Sequence, residues 1–430
     1  MASSSKYTII CVGIATLFIG LWGEMFSTAP TIIKIIYSVL LYFSLLFFPL
    51  ANIIKNDFGR WANALLFLIV IDSFLLVGMT VYNTDPDMYL HGNKWLTLFL
   101  NEYTLFALFP PLFVFLATTA NSFSVFSKYL VLFIVFSLLL SPIQTNSVAF
   151  LPIFFIAFLP YIKTKYRFLF VIVIIVSVLT AISRVRMLMI VNFFSFVAVI
   201  LVYLFRFKYI SAVFIAFCLI LPFLVFVPIL GLAKGELSFF QKIMEYLAQN
   251  NIISDTNDTR TLLYLEIAED IEANKTWLFG KGAYCHYFSH YFSLNEGDDS
   301  TRTLVEVPFL YMLLKGGFFY VIPYYGLLVT AIYKGLFCGK NRFVFLSSIL
   351  ITGWYFNSFI GDLNGCRFYH LGFFFLVGCC LSRRVLSYSD VEIQLLFDEQ
   401  FYKFKVLKSI ILIKLFHQKE NNDPILKNDT

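Results

Sequence analysis

The chain has 430 residues, 60% of them hydrophobic and only 13% charged, with a formal net charge of +6. A mean hydropathy of +0.81 exceeds anything a water-soluble core of this size needs, which excludes an ordinary soluble domain and points to a polytopic membrane protein with no nucleic-acid partner. Lipid offers the backbone no hydrogen-bond partner, and apolar runs of about 20 residues without period-2 alternation select helices over a barrel.

Taken in chain order, apolar runs fall at 7–23, 35–54, 61–82, 97–119, 128–142, 146–162, 167–183, 187–205, 209–232, 317–336, 343–361 and 366–382. The expected fold is therefore all-α, with about twelve transmembrane helices. Nine lie in 1–233, a large external loop containing short helices spans 234–316, three more helices occupy 317–382, and a basic tail covers 383–430. Met1 to Lys6 precedes the first span, and no small-residue cleavage site follows that would mark a signal peptide. The seven cysteines lie mostly inside expected spans without metal-type spacing, so no disulfide framework is expected.

Lysine and arginine set the orientation. With the N-terminus inside, the inner turns carry thirteen: Lys55, Arg60, Lys128, Lys163, Lys165, Arg167, Arg206, Lys208, Lys334, Lys340, Arg342, Arg383 and Arg384. The short outer turns carry five: Lys34, Lys94, Arg184, Arg186 and Arg367. This bias places the long loop on the outer face and both termini inside. Arg184 and Arg186 oppose the bias in a tight outer turn between apolar runs. Each would cost about 2.5–3.5 kcal/mol in hydrocarbon, so an anionic partner is expected for them, the alternative being lipid phosphates reached by snorkelling. Asp72 and Glu102 are acids within or beside spans, where carboxylates face a cavity, a partner or a helix contact. From Val391 to Phe416 apolar residues mix with Lys403, Lys405, Lys408 and Lys414, the pattern of a basic helix lying on the inner leaflet.

The long loop holds most of the polar vocabulary. A helix is expected after an Asp258 or Thr259 cap, running from Arg260 through Tyr264 and Glu266 to about Ala273. Trp277-Leu278-Phe279-Gly280-Lys281-Gly282 follows, an apolar anchor with a glycine turn. After the polar stretch 296–302 a second short helix is expected from Leu304 to Leu314 with Glu306 near its start, and Gly316-Gly317 opens the next span. Cys285-His286 and His290 would present an i, i+4 pair only if helical, and no metal or other cofactor is expected there.

This order of parts resembles the O-antigen polymerase and ligase superfamily. That family has about twelve spans, a Ser-Arg pair at an outer helix end, and a large periplasmic loop. The loop reads Arg, an aromatic about four residues on, Leu-x-Gly-x-Gly, a His-Asn pair, and a Gly ten residues after the Asn. The matching positions are Ser183-Arg184, Arg260 with Tyr264, Leu278 to Gly282, and Gly316. Where the His-Asn pair would stand the chain has Val305-Glu306, which tilts the resemblance toward the polymerase branch. The ligases look dependent on that histidine.

The resemblance implies a multi-pass protein of the bacterial inner membrane, with its large loop periplasmic. It would join undecaprenyl-pyrophosphate-linked oligosaccharide repeats, donor and acceptor both lipid-linked, among membrane lipids and with a chain-length regulator protein as a partner that the family allows. An acceptor hydroxyl would attack the anomeric carbon as polyprenyl pyrophosphate leaves. Arg184, Arg186 and Arg260, with Arg302 as a fourth, are the candidates to grip the pyrophosphate, because guanidinium groups bind it bidentately without a metal. Arg260 and Glu306 are the candidate catalytic pair, Glu306 as base. The plain alternatives are a salt bridge from Arg260 to Asp258 or Glu266, and a dipole-stabilising role for Glu306. Two other functions stay open at this point, an O-antigen ligase and a lipid-linked oligosaccharide flippase; the gathering of cations at the outer face favours an enzyme over a carrier.

Overall fold

Helix α1, Arg60–Asn83, matches the apolar run at 61–82 almost to the residue. Its outward side carries Trp61, Phe67, Phe74 and Tyr82, all well exposed. Trp61 and Tyr82 stand about 30 Å apart at helical rise, the thickness of a bilayer core. The computed structural model describes residues 32, 56–83, 114, 115, 117, 156–162, 167, 208–231, 259–283, 285–289, 301, 302, 305–361 and 368–396. The apolar runs at 7–23, 35–54, 128–142 and 187–205, with Glu102, Arg184, Arg186, His290 and the tail from 397, lie outside the described residues.

The other elements follow in order. A 3-10 turn, Ile156–Tyr161, is punctuated by Pro160. Helix α2 is Lys208–Gly231, α3 is Thr259–Asn274, and two-residue strands β1, Tyr287–Phe288, and β2, Thr301–Arg302, pair antiparallel. Helix α4 is Pro308–Tyr333, continued by a π turn at Lys334–Cys338. Helices α5, Arg342–Asn357, α6, Phe368–Leu381, and the short α7, Arg383–Ser387, complete the set. The described part is thus mostly helical. Two stretches are long and apolar enough to cross a membrane, Arg60–Tyr82 and Pro308–Cys338.

Helices α1 and α4 run antiparallel, and their register can be read from three contacts. Gly316 faces Asp72, Gly326 faces Leu65, and the Lys334 Nζ donates to the Phe58 carbonyl. Helix α5 packs on α4 through Phe309 stacked on Phe359 and Tyr325 set edge-on against Tyr355. Helix α6 closes the other side, where Trp354 stacks on Phe373 at 4.5 Å. Gly335 lets α5 and α6 close in: a Cβ there would stand 2.9 Å from both the Cys380 sulfur and the Ser348 Cβ. At the Phe58 end, Asp57 accepts from the Ser382 hydroxyl at 2.9 Å and the Arg384 backbone at 2.7 Å, tying the start of α1 to the α6–α7 corner.

One expectation about this region changes and one holds. The helix expected at Leu304–Leu314 begins at Pro308, because proline fixes φ, suits the first helical position and drives the residue before it to extended backbone; Val307 has φ −95° and ψ 114°. Glu306 therefore sits in a bend ahead of the helix rather than in its first turn. The helix boundary expected at Gly316-Gly317 is present: α4 is two helical segments joined across a kink, the second resuming after Gly317 (φ 65°, ψ −170°).

Candidate functional site

The break in α4 frees backbone groups that must find partners, since a buried unpaired group costs about 1–3 kcal/mol. The segment Trp277–Gly282 supplies them. The amides of Lys281 and Gly282 donate to the Leu314 and Lys315 carbonyls at 2.9 and 3.0 Å, while the amides of Phe318 and Phe319 donate to the Trp277 and Leu278 carbonyls at 2.8 and 2.9 Å. The side chains repeat the pairing: Trp277 stacks on Phe318 with rings 10° from parallel, and Phe279 lies 5.5 Å from Phe319. Glycine is required on both sides, as Gly280, Gly282 and Gly317 all have positive φ. The far edge of the segment meets α1, where the Ala283 amide donates to the Thr80 hydroxyl at 2.6 Å.

Helix α3 enters this bracket through a left-handed stop. Lys275 (φ 54°) is the turning residue, and the amides of Lys275 and Thr276 return to the carbonyls of Glu272 and Ile271. The helix is fixed to the turn after α5 by the buried Tyr264, whose hydroxyl donates to the Phe359 carbonyl at 2.8 Å.

Beyond the bracket the chain turns back and places two lysines. Lys281 holds Asp270 at 2.8 Å and donates to the His286 carbonyl at 3.0 Å. Lys315, 1% exposed, donates to the Cys285 carbonyl at 2.8 Å and lies 5.4 Å from the Tyr311 ring centre. These bonds hold Cys285 and His286 on non-helical chain leading into β1, so the helical geometry that a metal-holding Cys285, His286 and His290 set would need is absent at 285–289. Burial pushes the Cys285 thiol up, against the pull of both lysines.

Strand β1 alternates: Tyr287 and Ser289 are buried and Phe288 is exposed. The buried side faces α3, where the Ser289 hydroxyl donates to Glu266 Oε1 at 3.1 Å. Across the ribbon Arg302 stands directly opposite Tyr287, and Glu306 follows four residues later. The Tyr287 hydroxyl is enclosed and without a hydrogen-bond partner. Burial pushes it well above the usual tyrosine range; Glu266 pushes the same way, Arg302 opposes, and Glu306 adds a smaller push upward. Glu266, Arg302 and Glu306 thus all act electrostatically on an unmatched phenol, Arg302 and Glu306 being partly exposed.

Of the expected site residues, Arg302 is placed opposite Tyr287 on the ribbon and Glu306 in the bend before α4. Arg260 is placed on α3 four residues before Tyr264, but only its backbone is described, and Arg184 and Arg186 lie outside the described residues. Sequence reasoning takes Tyr287 only as one of the Tyr and Phe residues between Tyr284 and Phe292, which could stack on sugar rings or anchor at the membrane interface; it passes over Lys281 and Lys315, and weighs Glu266 only as an ion-pair partner for Arg260. Asp72, flagged as an acid within a span, is buried against Gly316, with its Oδ2 unpartnered.

Among the described residues the protein is mostly helical, with two helices long and apolar enough to cross a membrane and a bracketed polar segment beside one of them. No family model, no curated protein and no solved structure matches the chain.

Proposed function

We propose that the protein is a membrane glycosyltransferase of the O-antigen polymerase type, joining polyprenyl-pyrophosphate-linked oligosaccharide repeats at the periplasmic face of the bacterial inner membrane. On this reading the chain crosses the membrane about twelve times and 234–316 forms the periplasmic loop. The observation that supports it is the pairing of Arg302 with Tyr287 across the ribbon, with Glu306 four residues on in the bend that leads into a helix of membrane-spanning length.

In the proposed reaction an acceptor-sugar hydroxyl oxygen attacks the donor's anomeric carbon. The bond from that carbon to the pyrophosphate oxygen breaks, its electron pair leaves with polyprenyl pyrophosphate, and Glu306 takes the hydroxyl proton. Arg302, with Arg184, Arg186 and Arg260, carries the charge that develops on the leaving group. Removing one such donor in a water-poor site costs on the order of a hundredfold in rate. The test is the lipopolysaccharide ladder of a deletion strain. Single-repeat caps support a polymerase, uncapped core would indicate a ligase, and an unchanged ladder would refute both.

A further inference from the structure

Opposite Arg302 on the ribbon stands a group the reaction above does not use. Tyr287 is 2% exposed, pairs with Arg302 of β2, and its hydroxyl has no partner. Folding does not leave a buried donor unmatched without cause. Next to it on the same face of β1, Ser289 orients one oxygen of Glu266, itself 8% exposed. A phenol that donates beside a carboxylate that accepts is the pairing that a sugar hydroxyl satisfies, since such a hydroxyl accepts one hydrogen bond and donates another. A bare phosphate has no proton for the carboxylate and would be repelled by it.

We propose that Tyr287 and Glu266 form a carbohydrate subsite that binds a hydroxyl of the acceptor sugar, Tyr287 donating to its oxygen and Glu266 accepting its proton. This rests on the glycosyltransferase reading for its choice of sugar, but it can fail independently.

The test uses the full-length protein in lipid nanodiscs with two probes, the repeat oligosaccharide released by mild acid from the strain's own lipid-linked pool, and farnesyl diphosphate, which carries no sugar. Tyr287→Phe keeps the ring and removes the hydroxyl. It is expected to weaken oligosaccharide binding about tenfold, the loss of one hydrogen bond to a bound hydroxyl, and to leave farnesyl diphosphate binding within about twofold. Ser289→Ala, which removes one hydrogen bond that orients Glu266 without touching the ligand, is expected to weaken the oligosaccharide about threefold and serves if the first variant folds poorly. Wild-type protein that binds no oligosaccharide, or variants that bind it normally, would overturn the subsite. If the deletion strain's ladder is unchanged while Tyr287→Phe still loses oligosaccharide, the subsite stands and the polymerase reading falls.

Discussion

Gly280 and Gly317 meet backbone against backbone. A Cβ on Gly317 would stand 2.6 Å from the Gly280 nitrogen and 2.3 Å from the Leu278 carbonyl oxygen, while one on Gly280 would stand 2.3 Å from the Lys315 oxygen. Neither contact can relax by turning a side chain, because each neighbour is backbone that is itself hydrogen-bonded, the Leu278 and Lys315 carbonyls across the bracket and the Gly280 amide to the Thr276 carbonyl.

Gly317→Ala should therefore be severe. Strain at a left-handed position costs about 1–3 kcal/mol before any clash is counted, and parting the segments bares up to four amides and carbonyls. A fall in Tm of the purified protein in detergent, with loss of protein from the membrane, is the expected result. Gly78→Ala on α1 is the control: nothing lies within 4 Å of its Cβ, and replacing a helical glycine is worth up to about 1 kcal/mol of added stability. Equal effects from the two variants would mean that the bracket does not hold the break.

The hydroxyl of Thr80 is the bracket's anchor to α1. Thr80→Val keeps the shape and removes the acceptor for the Ala283 amide, at a cost of about 1–3 kcal/mol for a buried donor left bare. Thr80→Ser should recover most of it. Amide exchange at Ala283 reports this directly, and should rise in the valine variant alone.

At the end of α3, Lys275 holds a left-handed conformation that glycine adopts without penalty. Lys275→Gly should stabilise the protein by about 0.5–1 kcal/mol, since the relief at this turn exceeds the added freedom of the unfolded chain. A lowered Tm would show that the Lys275 side chain contributes something its exposed position does not suggest.

Beyond α7, residues 390–396 are helical and start on a reciprocal cap: Glu392 accepts from the Ser389 backbone at 2.7 Å and from its hydroxyl at 2.9 Å, and the Ser389 hydroxyl accepts from the Glu392 amide. These bonds hold the Glu392 carboxyl below its ordinary value of 4.5. For a carboxyl depressed on folding, the stabilisation is complete above the ordinary value and is lost as pH falls through the folded one. Amide exchange across 390–396 should accelerate on acidification below pH 4.5 in the wild type and be fast at every pH in Ser389→Ala.

For the proposed chemistry, Glu306→Gln and Arg302→Ala should each shorten the glycan ladder to one or a few repeats at unchanged membrane level, and Arg302→Lys should restore only part of it. Lysine keeps the charge but loses the planar fork. Full-length polymer from either of the first two variants would remove that residue from the mechanism.

Length of apolar run and position of proline or glycine were enough to place α1 and α2 to within a residue of their expected ends, because the backbone of an apolar run near 20 residues has few other ways to satisfy itself. The run at 260–273 was equally legible as α3, and the Trp277–Gly282 anchor was marked as a glycine turn. What that turn grips was not legible. Gly280 and Gly317 are remote in sequence, and only the folded chain shows that the glycine turn and the expected helix boundary are the two halves of one contact. The same holds for Tyr287. A tyrosine in an aromatic-rich loop reads as a surface anchor until β2 sets Arg302 opposite it and Ser289 joins its strand to Glu266 on α3. Hydropathy is a local property that a sequence states outright. Which polar groups end up facing one another depends on long-range packing, and only the tertiary structure decides it.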